Sequence, residues 1–275
     1  SDAAIGFILG TTPNTTYDIT AITPELGLTI SGGNPVTGTL FLADEIANDT
    51  WTNTSAGPLT VTYTIEPVSS NGCSGQPFDV VVTINPEPVV SNQTDSICSD
   101  VASGVSFNGS SSVAAATYTI TSINANGLTP SAGNPATGTN LAVNVIADDA
   151  WTNTTPLPVN VVYTVVPVSA ASCAGEPFTF TLTVNPEPVV TNQTVATCSD
   201  VALNYSLDGL ITGSGDTYTY TVASSNAASV PAGSPRTVAS AANITDVYTN
   251  TTAAPVTITY TVTPTNNGCI GSSFT

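Results

Sequence analysis

Long runs of this chain alternate apolar and polar residues with a period of two, and none carries an apolar stripe at the helical period of 3.6. The clearest alternations cover residues 59–68, 159–168 and 256–263, where Val, Ile and Tyr exchange with Thr, a composition suited to a pleated, half-buried surface. Each run leads into a turn: Asn71-Gly72-Cys73, Ser172-Cys173-Ala174-Gly175 and Asn267-Gly268-Cys269. After the first two turns a second strand is predicted, over 78–84 and 178–184, so each pair reads as a β-hairpin. Many short strands broken by Gly, Pro and Asn predict an all-β chain.

The pattern repeats. Asn85-Pro86-Glu87-Pro88-Val89-Val90 returns as Asn185-Pro186-Glu187-Pro188-Val189-Val190, each followed by Asn-Gln-Thr and then Cys-Ser-Asp. Trp51-Thr52-Asn53-Thr54 returns as Trp151-Thr152-Asn153-Thr154 and, with tyrosine in place of tryptophan, as Tyr248-Thr249-Asn250-Thr251. Gly33-Asn34-Pro35 returns as Gly133-Asn134-Pro135 and more loosely as Gly233-Ser234-Pro235. A repeat of about 90 to 100 residues built from short strands predicts tandem immunoglobulin-like β-sandwich modules arranged end to end, over 1–86, 87–186 and 187–275. Two prolines in each Pro-Glu-Pro segment fix φ and remove donors, which predicts a short, stiff, extended linker. Ser1-Asp2 matches the dipeptide after cysteine in the other copies, and Phe274 stands where a last strand begins. Both terminal modules are therefore expected to be truncated, the third lacking its last strand and exposing an edge that the same or another chain would cover.

Composition narrows the function. The 275 residues hold no Lys, His or Met, Arg236 is the single cation, and 19 carboxylates leave a net charge of −18. Such a surface repels phosphate backbones and anionic membranes, so no nucleic acid and no membrane insertion are expected. No apolar run reaches the roughly 18 to 20 residues of a membrane helix. Ser and Cys nucleophiles lack their usual His or Lys activators, and no cleft is marked for paired carboxylates, so the chain reads as no enzyme and without cofactor.

Five cysteines without a CxxC pair suggest disulfides more than a metal knuckle. One scheme pairs Cys98 with Cys173 and Cys198 with Cys269 inside their modules, leaving Cys73 unpaired by truncation. Another joins Cys73 to Cys98 and Cys173 to Cys198, leaving Cys269 alone, and a third leaves all five as buried thiols. Spacing does not choose among them. The first is preferred because every module would then fold independently, with a closed loop of about 75 residues stabilising by roughly 4 kcal/mol.

Two further sets of residues carry candidate chemistry. Asp44, Glu45 and Asp49, then Asp148 and Asp149, then Asp246 precede the repeated aromatic and are the ligand type calcium takes in extracellular modules. Their number falls from three to one along the chain, so a solvated acidic loop is the first reading and calcium the alternative. Trp51, Trp151 and Tyr248 read as core aromatics plugging each sandwich, with sugar stacking as the alternative.

Cys-Ser-Asp, Tyr-Thr-Val-x-Pro, the Gly-Cys-x-Gly turn and Val-Asn-Pro-Glu-Pro-Val-Val together resemble the PKD-like repeats of giant surface adhesins of gliding Bacteroidota, most of all the SprB-type filaments of flavobacteria. The resemblance covers essentially the whole chain. It implies an extracellular position on the outer cell surface after type IX secretion, and partners that are neighbouring modules of the same long chain and the gliding machinery. An extracellular substratum or polysaccharide would be gripped through other regions. No catalytic residue is carried over. A stalk or filament is thus the leading expectation, and a carbohydrate- or protein-binding module the alternative.

Overall fold

In the computed structural model the described residues are 2–10, 15–207, 210, 217–233, 236–239 and 243–275. The first unit holds β1 (Thr16–Pro24), β2 (Leu28–Gly32), β3 (Gly38–Phe41), β4 (Thr50–Asn53), β5 (Leu59–Val68) and β6 (Phe78–Ile84). The second holds β7 (Gln93–Cys98), β8 (Ala115–Asn124), β9 (Thr129–Ala132), β10 (Gly138–Leu141), β11 (Ala150–Thr152), β12 (Val159–Ser169) and β13 (Phe178–Asn185). The third holds β14 (Tyr205–Ser206), β15 (Thr217–Ser224), β16 (Arg236–Ala239), β17 (Asn243–Ile244), β18 (Ile258–Asn266) and β19 (Cys269–Ile270). The chain is all-β, with one short 3-10 turn, Glu45–Asn48, among the described residues.

The second unit shows the plan most fully. Its large sheet runs β10-β8-β12-β13-β7 and faces the small β11-β9 sheet. β12 and β13 form the hairpin that the alternation predicts, in register from Val159 opposite Val184 to Val165 opposite Phe178. Along β13 every second residue is buried, because Phe178, Phe180, Leu182 and Val184 point to one face and their Thr neighbours to the other. Phe107, from an irregular segment without sequence period, packs its ring 5.1 Å from Tyr118 and 5.8 Å from Phe178. The first and third units have their own buried clusters, around Trp51, Tyr63 and Ile65 and around Tyr218, Tyr220 and Val262.

The first strand of the second unit pairs parallel with its last. β7 lies beside β13 from Gln93 opposite Phe180 to Cys98 opposite Asn185. Both strands therefore run from the pole where the chain enters to the pole where it leaves. In the third unit, among the described residues, β18 is paired beyond β15 only by the short β19 and by the bridge from Val262 to Phe274. A groove of about 580 Å3 lies there, lined in part by Val195, Tyr205, Leu207 and Phe274.

Candidate functional site

The repeated phrases meet at the two poles of each unit. At the exit pole, Cys-Ser-Asp interlocks with Trp-Thr-Asn. Asp2, Asp100 and Asp200 all take positive φ, from 56° to 64°. That bend lets each backbone N–H donate to the carbonyl of Trp51, Trp151 or Tyr248 at 2.9 to 3.0 Å. Thr52, Thr152 and Thr249 then donate their hydroxyls to the same three aspartates at 2.5 to 2.6 Å. For Asp100 these hydroxyl bonds, Thr152 foremost, hold the carboxyl below the usual carboxylate range. Ser99 accepts the Asn153 N–H at 2.9 Å, and Ser199 accepts that of Asn250 at the same distance.

The asparagine of this motif clamps the departing chain. The Asn153 amide donates to Val184 O at 2.7 Å and to Leu157 O at 3.0 Å, while its oxygen accepts from the Thr155 N–H and hydroxyl. All four hydrogen-bonding positions of a primary amide are thereby used. Asn53 repeats the pattern with Ile84 O, Gly57 O and Ser55.

Below this clamp lies a buried chain of polar groups. Trp151 Nε1–H donates to Tyr163 OH at 3.1 Å, which donates to Asp149 Oδ2 at 2.9 Å. Trp51, Tyr63 and Asp49 make the same chain at 3.0 and 2.9 Å. In the third unit Tyr248 OH lies 2.9 Å from Tyr260 OH, which donates to Asp246 at 2.9 Å. Burial pushes the Asp149 carboxyl up to about 6, opposed by the Tyr163 bond and helped by the charge of Asp148. Burial likewise raises Asp49, and both Tyr63 and Tyr163 are held far above the ordinary phenol range. Asn34 N–H completes the Asp49 shell at 3.4 Å, and a Cβ on Gly33, at φ +72°, would come 2.6 Å from the Asp49 Cα. Only glycine allows that approach.

The candidate calcium ligands thus divide. Asp49 and Asp149 are buried and bonded to tyrosine, Asp246 is half-buried and bonded likewise, Glu45 is half-buried, and Asp44 and Asp148 face solvent. Among the described residues no three His, Cys, Asp or Glu converge as a metal would need. Trp51 and Trp151 are each 3% exposed, while Tyr248 is half-buried beside a shallow pocket of about 470 Å3 lined by Val230, Pro231 and Asp246. The tyrosines at the centre of these chains, Tyr63, Tyr163 and Tyr260, escaped the sequence reading. Their signal was a constant spacing, each lying 12 residues after the repeated aromatic.

The entry pole is built from the other motifs. The carbonyls of Pro67, Pro167 and Pro264 accept the N–H of Gly75, Gly175 and Gly271 at 2.8 to 2.9 Å, tying Val-x-Pro, or Ile-x-Pro in the first unit, to Cys-x-Gly. In the second unit Ser169 accepts the Cys173 N–H at 3.2 Å. Against this turn sits the linker. A Cβ on Gly175 would come 1.9 Å from Pro88 O, and one on Gly271 would come 1.9 Å from Pro188 O. Pro86, Glu87 and Pro88 are all buried, and Val90 enters the core of the second unit. Ser112 donates to Glu87 O at 2.7 Å and accepts the Val89 N–H at 2.9 Å. The first Pro-Glu-Pro segment is a packed joint, and in the second Pro186 and Pro188 are buried while Glu187 is exposed.

A disulfide crosses the second joint, from Cys98 to Cys269, with Cα atoms 5.5 Å apart and a separation of 171 positions in sequence. Cys73, Cys173 and Cys198 lie outside it. Neither pairing expected from the sequence is present: Cys98 is not joined to Cys173, nor Cys198 to Cys269, nor Cys73 to Cys98, nor Cys173 to Cys198. The reason is the parallel pairing of first and last strands. Cys98 ends at the exit pole opposite Asn185, and Cys173 sits in the turn that precedes Phe178 at the entry pole. A strand of that length spans about 26 Å, far beyond the roughly 4.4 to 6.8 Å between bridged Cα atoms.

No curated protein matches this chain. Among solved structures it is similar to the crystal structure of chicken CNTN1 FN1-FN3 domains, with a TM-score of 0.33 and 11% identity over 96% of this chain and 88% of that one. It is also similar to zebrafish RET cadherin-like domains 1 to 4, with a TM-score of 0.20 and 12% identity over 95% of this chain and 65% of that one. The family model of the PKD-like domain matches residues 10–88, 95–188 and 195–275. The chain belongs to the PKD-like domain family, of which it carries three tandem copies.

Proposed function

We propose that this chain is a stalk segment of a very large adhesin of the SprB type, exported by the type IX route and displayed on the outer cell surface for attachment and gliding. The observation that carries the reading is the construction of the joints. A tether that merely spaced ligand-binding modules would be served by an exposed linker, yet Pro86, Glu87 and Pro88 are buried and a covalent bond runs from one unit to another. The repeated motifs serve those joints, which is what a segment that transmits force requires. Its direct partners are neighbouring units, and substratum and gliding machinery are met through other regions.

The reading is non-catalytic. Domains of this family are typically binding or structural modules, and the buried carboxylates Asp49 and Asp149 are held by tyrosine hydroxyls away from any open cleft. A second reading, carbohydrate contact, rests on the shallow pocket beside Tyr248 in the third unit.

Antibodies raised against the chain test the proposal on intact cells of the source organism. Surface labelling, with bivalent antibody slowing attachment and movement, is the expected result. Labelling only after permeabilisation overturns it. A glycan microarray probed with the chain separates the second reading, which requires saturable binding lost in Tyr248→Ala.

A further inference from the structure

We propose that the Cys98–Cys269 bond is one rung of a repeating staple, in which the cysteine of each Cys-Ser-Asp motif bonds to the hairpin-turn cysteine of the following unit. The array then becomes a two-stranded covalent cable. The inference rests on the stalk reading, but its test is a bond assignment on purified chain and is independent of cell-surface labelling.

The repeat geometry carries it. Asp2, Asp100 and Asp200 make the same backbone and hydroxyl bonds to their own units, and in the second and third units the Ser-Asp that holds this aspartate follows Cys98 and Cys198. In the first unit the matching sequence position is the one immediately ahead of Ser1. The turn cysteines are Cys73, Cys173 and Cys269. The observed bond takes the exit-pole cysteine of the second unit to the turn cysteine of the third. Shifted by one unit, the same rule takes Cys173 to the position ahead of Ser1.

An independent contact agrees with the shift. Cys173 Sγ lies 3.8 Å from Asn85 O, and Asn85 is the counterpart of Asn185, the register partner of Cys98. Cys173 therefore stands at the first joint where Cys269 stands at the second. The turn glycines meet the two linkers alike, since Gly175 and Gly271 approach Pro88 O and Pro188 O at the same distance. By the same rule Cys73 faces a preceding unit and Cys198 a following one, wherever such units are joined.

The mechanical consequence follows from the parallel strands. β7 and β13 lie side by side across the second unit. At each joint the linker connects the last strand of one unit to the first strand of the next, and the staple connects the first strand of one unit to the last strand of the next. Two covalent routes therefore run the length of the array, each passing through one strand per unit. Residues 99–172, which contain the Trp151, Tyr163 and Asp149 chain, lie outside both routes and stay unloaded while the staples hold.

Each staple forms by exchange with a disulfide oxidant. One cysteine thiolate attacks the oxidant's disulfide, giving a mixed disulfide and releasing one oxidant thiol. The second cysteine thiolate then attacks the protein sulfur and releases the other, so two thiols lose two protons and two electrons and the oxidant is reduced to its dithiol state.

A variant of the whole 275-residue chain carrying one added cysteine directly ahead of Ser1 tests the rule. It is oxidised with glutathione disulfide and mapped by non-reducing peptide analysis. The expected result is one new bond per chain, from the added cysteine to Cys173, alongside Cys98–Cys269. In a companion Cys173→Ser variant the added cysteine is expected to remain as a mixed disulfide with glutathione. Hydrogen exchange across β12 reports that the second unit is folded in both. Joining of the added cysteine to Cys73 or Cys198, a mixture of partners, or no bond at all in the folded chain overturns the proposal.

Discussion

Replacing Tyr163 with phenylalanine removes one oxygen and breaks a buried chain in the middle. Tyr163 is fully buried, Trp151 is 3% exposed and Asp149 is 2% exposed, so no water replaces the lost hydroxyl. The Trp151 indole N–H loses its acceptor, a cost of about 1 to 3 kcal/mol, and the Asp149 carboxylate loses a charge-assisted bond of about 1.5 to 3 kcal/mol. The sum, about 2.5 to 6 kcal/mol, is a large part of the roughly 5 to 15 kcal/mol that holds a unit of this size together. Tyr118→Phe is the internal standard, because Tyr118 makes a single neutral bond to Phe107 O at 3.3 Å and its loss costs about 1 kcal/mol. Native-state hydrogen exchange of the intact chain, followed in peptides from β12, reads both variants. Tyr163→Phe is expected to lower protection by about a hundredfold to ten-thousandfold, and Tyr118→Phe by about tenfold or less. Equal losses in the two variants would refute the argument that Tyr163 holds Trp151 and Asp149 together.

Asp149 also sets a pH dependence. Its carboxyl is raised to about 6 from 3.8, so its contribution to stability is complete below the lower value and is lost as pH rises through the upper, by about 3 kcal/mol. Denaturant titrations from about pH 4 to 7 are expected to show this decline in the second unit and a flatter profile in Asp149→Asn, and parallel profiles would contradict it. Gly271→Ala places a Cβ 1.9 Å from Pro188 O, and is expected to slow formation of the Cys98–Cys269 bond in glutathione buffer at least about tenfold while β12 keeps its exchange protection. Because tyrosine hydroxyls occupy Asp49, Asp149 and Asp246, millimolar calcium or a chelator is expected to move the thermal midpoint by less than about 1 °C, and a rise of several degrees with calcium would restore the metal reading.

Period-two alternation placed the hairpin strands, β5 with the bounds the pattern predicts, Leu59–Val68, but not β7, because Gln93–Cys98 is mostly polar and carries no such alternation. Irregular segments such as the one that carries Phe107 were not legible, because they have no period and owe their place to backbone bonds with a distant loop, among them Phe107 N to Val143 O. The repeated phrases were visible as repeats, but what they do was not. Cys-Ser-Asp needs Trp-Thr-Asn as its partner, and Cys-x-Gly needs Val-x-Pro and the linker. Only the folded chain brings these pairs together. The disulfide was misread for a related reason: counting residues between cysteines cannot reveal that the first and last strands are parallel, which puts the two cysteines of one unit at opposite poles.

The most direct test of the account is to stretch single molecules by their two ends, with and without reductant. The bond between Cys98 and Cys269, 171 residues apart, withholds that stretch of chain from extension, about 600 Å at roughly 3.6 Å per residue. A fully extended oxidised molecule shorter than the reduced one by that length is the predicted result, and equal lengths in the two conditions would contradict a stapled stalk that transmits force.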